Sequence, residues 1–153
     1  MSYVEQIRKK IGHDIMISVG ACIFVYKDGR VLLQKRKDNL CWGMSGGGGV
    51  EIGESVEDAA KRELFEETGI IAESLELLGV FSGEGMTYTY PNGDKVQIIG
   101  IVYVCQDFSG ELLPDITETV ELEWFDIDKI PHEINPPDKK AFRAFIDWVN
   151  CPK

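Results

Sequence analysis

The sequence predicts an α/β domain in which helices cover a mixed β-sheet, and three observations carry that expectation. Apolar runs of strand character alternate with turn signals through residues 15–36 and 75–125, and two segments, near 55–68 and 137–149, place apolar residues at helical spacing. Two of the turns are short enough to close hairpins, which puts antiparallel pairs into the sheet. With 153 residues, 44% of them hydrophobic, the chain is sized for one core and a single domain over residues 1–153.

Val4, Ile7 and Ile11 recur at helical spacing and predict a short amphipathic helix on the outside of the domain. From Ile15 to Tyr26 the chain is dense in Ile, Val, Phe and Tyr, and Lys27-Asp28-Gly29-Arg30 turns it into a second strand from Val31 to Arg36. A polar connector with Cys41 and Trp42 leads to Gly46-Gly47-Gly48-Gly49. Consecutive glycines lose extra backbone entropy on ordering, so a loose loop is expected there. A helix follows from about Ser55 to Thr68, with Ser55 and Asp58 resembling a capping box and Gly69 as its stop. Strands are expected over Leu75 to Phe81, Met86 to Tyr90 and Val96 to Val104. The last two flank Pro91-Asn92-Gly93-Asp94, an Asn-Gly hairpin signal that calls for positive φ at both turn residues. Pro91 disfavours a central strand, so this hairpin is expected to project from the sheet. Val120 to Phe125 gives a further strand, and Pro137 to Val149 a closing helix with Phe142, Phe145, Ile146 and Val149 on one side.

Lys plus Arg number 16 and Asp plus Glu 26, a formal charge of −10. A nucleic-acid polymer is therefore not the expected partner, since a phosphate-binding stripe is lacking beyond Arg8, Lys9 and Lys10. The longest apolar stretch, Ile98 to Cys105, falls far short of the roughly 20 residues that cross a bilayer, so no membrane is expected either. The segment after Met1 lacks the apolar core of a signal peptide, and Cys22, Cys41, Cys105 and Cys151 show no C-x-x-C spacing. The cytoplasm is the expected compartment. His13 and His132 are far apart in sequence and read as surface residues.

The helix after Gly53 carries the chemistry. Val56, Ala59, Ala60 and Leu64 form its buried stripe, while Glu63, Glu66 and Glu67 stand at i, i+3 and i+4 on a neighbouring face. Like charges at these spacings cost about 0.2–0.5 kcal/mol per pair, and anions in the last turn oppose the helix dipole. Arg62 offsets only part. A solvated acidic face is the plain reading; a divalent-cation site is the functional one, because Mg²⁺ is held by a few carboxylates together with substrate phosphates.

Gly48, five residues, Glu54, seven residues, then Arg62-Glu63-Leu64-Phe65-Glu66-Glu67-Thr68-Gly69-Ile70 resembles the signature of the Nudix hydrolase family at every fixed position. The resemblance implies a Nudix-like α/β/α sandwich and a Mg²⁺- or Mn²⁺-dependent hydrolysis of a diphosphate linkage in a nucleoside diphosphate joined to another group. By the same resemblance Glu66 and Glu67 are the principal metal ligands, Glu63 a further ligand or the general base, and Glu54 an additional ligand or a support. Arg62 then orients a neighbouring carboxylate, and Gly48 is a backbone position close to metal or phosphate. Some relatives use one more downstream carboxylate, for which Glu111, Asp115, Glu118 and Glu121 are candidates, Glu118 preferred.

Family members commonly enter this motif through Trp-x-x-Pro-Gly-Gly, whereas this chain has Trp42-Gly43-Met44-Ser45 before its four glycines, without the proline and one residue longer. Weaker pre-organisation of the Gly48 carbonyl is expected in consequence. Tyr88 and Tyr90 share one strand face by alternation, and Trp42 and Phe81 lie near the expected metal site in sequence; any of these could stack on a base, and Tyr88 and Trp42 are the preferred substrate-binding candidates. The small-molecule partner is a nucleotide, and homodimers are common among relatives. The competing class, a nucleotide-sensing or protein-interaction module, is expected to lose acidic residues from the motif, and all of them are retained.

Overall fold

Two consecutive left-handed residues, Asp28 (φ 53°) and Gly29 (φ 77°), close the first hairpin with the twist that paired strands require. The computed structural model describes residues 1–151. The chain runs α1 (Tyr3–Ile11), β1 (Met16–Lys27), β2 (Arg30–Arg36), β3 (Trp42–Met44), β4 (Gly46–Gly49), α2 (Val56–Thr68) and β5 (Ile70–Ala72). It continues through β6 (Glu76–Phe81), β7 (Thr87–Thr89), β8 (Lys95–Cys105), β9 (Phe108–Gly110), β10 (Thr119–Asp126) and α3 (Lys139–Asn150), the last entered through a 3-10 turn at Pro136–Asp138.

The main sheet has the order β10-β2-β1-β8-β6, with β3 added to β2, β4 to β1 and β7 to β8. It is mixed, because β1 and β8 run parallel from Met16 opposite Val96 to Val25 opposite Cys105, while the other pairs are antiparallel. Alternation along β1 separates two cores. Ala21, Ile23 and Val25 meet Ala59, Ala60 and Leu64 of α2 on one face, and Phe24 meets Phe142 and Phe145 of α3 on the other. Phe24 and Phe145 stack at 4.3 Å between centroids. The expected α/β/α sandwich is thus present.

Both helix ends of α2 follow local chemistry. Ser55 Oγ accepts the Asp58 N–H at 3.1 Å, and Gly69 takes the left-handed C-cap at φ 81°. The reciprocal arm of the capping box is not formed, as Asp is a methylene shorter than the Glu that usually reaches back. At α1 that full box exists between Ser2 and Glu5.

Three expectations are corrected. The four glycines are not a loose loop: they form β4, paired with β1 from Gly20 opposite Gly49 to Ile23 opposite Gly46. In the Pro91-Asn92-Gly93 turn only Gly93 is left-handed (φ 94°), and its N–H bonds to Tyr90 O at 2.8 Å. Pro91 pre-sets the second position of that turn, so Asn92 keeps ordinary backbone angles. Nor does the hairpin leave the sheet, since β7 pairs with the start of β8 along the edge that β6 occupies further on. Short β3, β5 and β9 were not expected at all.

Candidate active site

The glycine strand brings α2 against the sheet. A Cβ on Gly46 would lie 2.8 Å from Leu64 Cα, one on Gly47 2.8 Å from Cys22 Sγ, and one on Gly48 2.6 Å from both carboxylate oxygens of Glu63. Close approach, not a special φ, requires glycine here, because at such distances a methyl group forces neighbours to move. The strand that replaces the proline-bearing entry is held by the β1 ladder and by this contact with α2.

Arg62 is the hub of the acidic residues. Its Nε donates to Glu54 Oε2 at 2.7 Å, Nη1 to Glu63 Oε1 at 2.8 Å, and Nη2 to Glu54 Oε1 at 3.0 Å and to Gly49 O at 3.1 Å. Glu66 reaches the same guanidinium at 3.3 Å from a half-exposed position. The planar fork suits this multiple pairing, and its hydrogen bonds to Glu54 lower that carboxyl from its ordinary value. Glu63 is pushed the other way, chiefly by burial, against the Arg62 contact and with Glu66 and Glu118 adding repulsion.

Glu67 is the buried member, 7% exposed. Burial raises its carboxyl well above the ordinary value, and the nearby Glu63 and Glu118 raise it further, while an N–H from Gly47 opposes. Glu118, preferred among the downstream carboxylates, lines the same recess as Glu63 and Glu67. The expectation that Glu63, Glu66 and Glu67 converge is met only in part. Arg62 holds Glu66 outward, and among the described residues no three acidic, His or Cys side chains stand close enough to grip an ion as they are. Mutual repulsion separates carboxylates that one guanidinium cannot neutralise.

The donor set nonetheless fits a hard divalent cation. It is all oxygen, and its buried carboxylate, Glu67, makes no ion pair with any of the described residues. Gly48 has no side chain to collide with the Glu63 carboxylate, which packs directly against its backbone.

From Glu67 a deeper cleft runs along the sheet between β4 and the start of α3, bordered by Cys22, Arg36, Met86, Tyr90, Asn135 and Asp138. Asp138 accepts from the Asn135 side chain and the Met44 N–H, yet burial pushes it up to about 6. Arg36 forks onto Asp38 at 2.8 and 3.0 Å, and Asn39 Nδ2 donates to Asn135 Oδ1 at 2.8 Å. The two expected aromatics do not reach this cleft. Trp42 is 9% exposed, packed edge-on against Phe125 at 4.9 Å and spent on the α3 core. Tyr88 turns its hydroxyl to Asn39 at 3.0 Å, and it is Tyr90, edge-on to Tyr88 at 5.1 Å, that borders the cleft. Sequence reasoning missed Asn135 and Asp138, although two prolines locking the chain between them, just ahead of a helix, are a signal for a fixed polar loop.

Comparison with known proteins assigns the family and agrees with the fold. Residues 16–145 match the family model described as NUDIX domain, and the chain belongs to the Nudix hydrolase family. It is by class a pyrophosphohydrolase acting on phosphoric anhydrides. Among similar curated proteins, an ADP-ribose pyrophosphatase of Methanocaldococcus jannaschii is 36% identical over 82% of this chain and 71% of its own length. A putative 8-oxo-dGTP diphosphatase of Bacillus subtilis is 34% identical over 85% of this chain and 80% of its own. The crystal structure of a MutT NUDIX hydrolase from Burkholderia pseudomallei superposes with a TM-score of 0.72 at 33% identity, covering 84% of this chain and 98% of that one.

Proposed function

We propose that the protein hydrolyses the diphosphate linkage of a small nucleotide with Mg²⁺ or Mn²⁺, in the cytoplasm. The observation that carries this reading is the junction at β4. There the buried Glu67, without an ion pair among the described residues, meets a cleft lined by Arg36, Asn135 and Asp138, which offer donors and acceptors of the kind a nucleobase edge engages.

Glu67 and Glu66 would hold the metal, with Glu63 and Glu118 beside them, and Glu54 is tied in through Arg62. When bound, the cation polarises a phosphoryl oxygen, activates water and balances charge on the leaving phosphate. The chain's own residues supply position. Arg62 fixes the Glu63 and Glu54 carboxylates, and Gly48, lacking a side chain, lets the Glu63 carboxylate sit against the β4 backbone. Glu63, raised by burial, is the group set to take the proton of the attacking water. Tyr90 offers a half-buried ring at the mouth of the cleft for stacking on the base.

Two named relatives point in two directions, ADP-ribose and an oxidised purine triphosphate. Incubation with Mg²⁺ or Mn²⁺ and ADP-ribose, dinucleoside polyphosphates, nucleoside triphosphates and nucleotide sugars, with chromatography of products, decides between them. Metal-dependent release of a mononucleotide from one class supports the reading. No turnover of any class, with nucleotide binding intact, would favour a sensing module.

A further inference from the structure

The first helix lies outside the matched family region, yet it borders the acidic site. Ser2, Val4 and Arg8 line one recess together with Glu63, Glu67 and Glu118, and this recess shares Gly47 to Gly49 and Tyr90 with the deeper cleft. The helix is fixed at both ends. At its start the Tyr3 N–H donates to Glu51 Oε2 at 2.9 Å, and Val4 Cγ2 lies 3.3 Å from where a Cβ on Gly49 would stand. Further along, the Arg8 guanidinium, 12% exposed, donates to Gly12 O at 3.1 Å, Asp14 O at 2.7 Å and Lys95 O at 2.6 Å, with Asp94 at 3.7 Å.

We propose that α1 is the end wall of the reaction cleft, positioned by Arg8, and that it selects substrates whose phosphate chain ends freely, nucleoside triphosphates, over those carrying a second bulky group. This inference rests on the hydrolase reading and deepens it. A nucleotide seated with its base near Asn135 and Asp138 and its phosphates at Glu67 runs toward Ser2, Val4 and Arg8. A terminal phosphate ends before them, whereas a ribose or second nucleoside meets the helix. Arg8 is a positioning residue: three of its hydrogen bonds go to main-chain carbonyls that hold the wall.

The test compares ATP with ADP-ribose on the full chain, for wild type, Arg8→Ala, Val4→Gly and Val4→Trp. Two quantities are read: kcat/KM with Mg²⁺, and affinity for the α,β-methylene analogues of both ligands. Loosening the wall with Arg8→Ala or Val4→Gly is expected to shift the ratio toward ADP-ribose by about tenfold, the scale of a small steric change in a pocket. Val4→Trp is expected to shift it the other way. A variant that merely unfolds lowers both ligands together and leaves the ratio in place. Unchanged ratios in all three variants overturn the wall. Shifted affinity ratios without turnover of either substrate uphold the wall and overturn the hydrolase reading instead.

Discussion

At the scale of single residues, two buried polar groups sit under strain. Ser45 is fully buried and its hydroxyl has no hydrogen-bond partner among the described residues. An unsatisfied buried hydroxyl costs about 1–3 kcal/mol, so Ser45→Ala is expected to stabilise the fold by about 1 kcal/mol in chemical denaturation. A destabilised variant would mean that the hydroxyl is satisfied in solution. Asp138 is the second group. Its folded-state pKa, about 6, lies above the ordinary 3.8, so the folded state binds the extra proton between those values. Its contribution to stability is present below pH 4 and is lost as pH rises through 6. Asp138→Asn should therefore be more stable than wild type at pH 7.5, by up to about 3 kcal/mol, with the difference closing below pH 4. Melting curves across that range check the sign.

At the scale of elements, β4 and α2 act as one unit, and two glycine substitutions separate its two duties. Gly46→Ala drives a methyl into the Leu64 backbone and should cost about 1–3 kcal/mol of stability. Gly48→Ala meets only the Glu63 carboxylate, so it should leave stability nearly intact and lower kcat by about 100-fold. Calorimetry and kinetics on the pair check this, and equal losses in both quantities would argue against the division. The same elements show what a sequence discloses. α2 was legible because a cap at Ser55, a stop at Gly69 and an apolar stripe agree on its bounds. β4 was not, since glycines carry no side-chain period, and what orders them is contact with Leu64 and Cys22, residues distant along the chain. The three-residue strands β3, β5 and β9 are too short to show alternation. Tyr88 and Tyr90 share a strand face, but which of them meets the cleft is decided by where β7 ends.

At the scale of the molecule, the acidic motif was legible because its spacing is that of one helix face, while the cleft was not. Its walls come from β1, β2, β4, β8 and the approach to α3, segments that only the sheet order brings together. A chain with charge −10 and a carboxylate cluster around a single guanidinium has a site that is electrostatically incomplete by itself. A phosphate-bearing ligand needs a cation there. Among the described residues no helix is long and apolar enough to cross a membrane. The most direct test of this account is nucleotide hydrolysis with and without Mg²⁺ by wild type and Glu67→Gln. The account predicts metal-dependent turnover by wild type and a loss of at least about 100-fold in the variant, with its melting temperature kept or raised. Turnover that survives the substitution undiminished would contradict it.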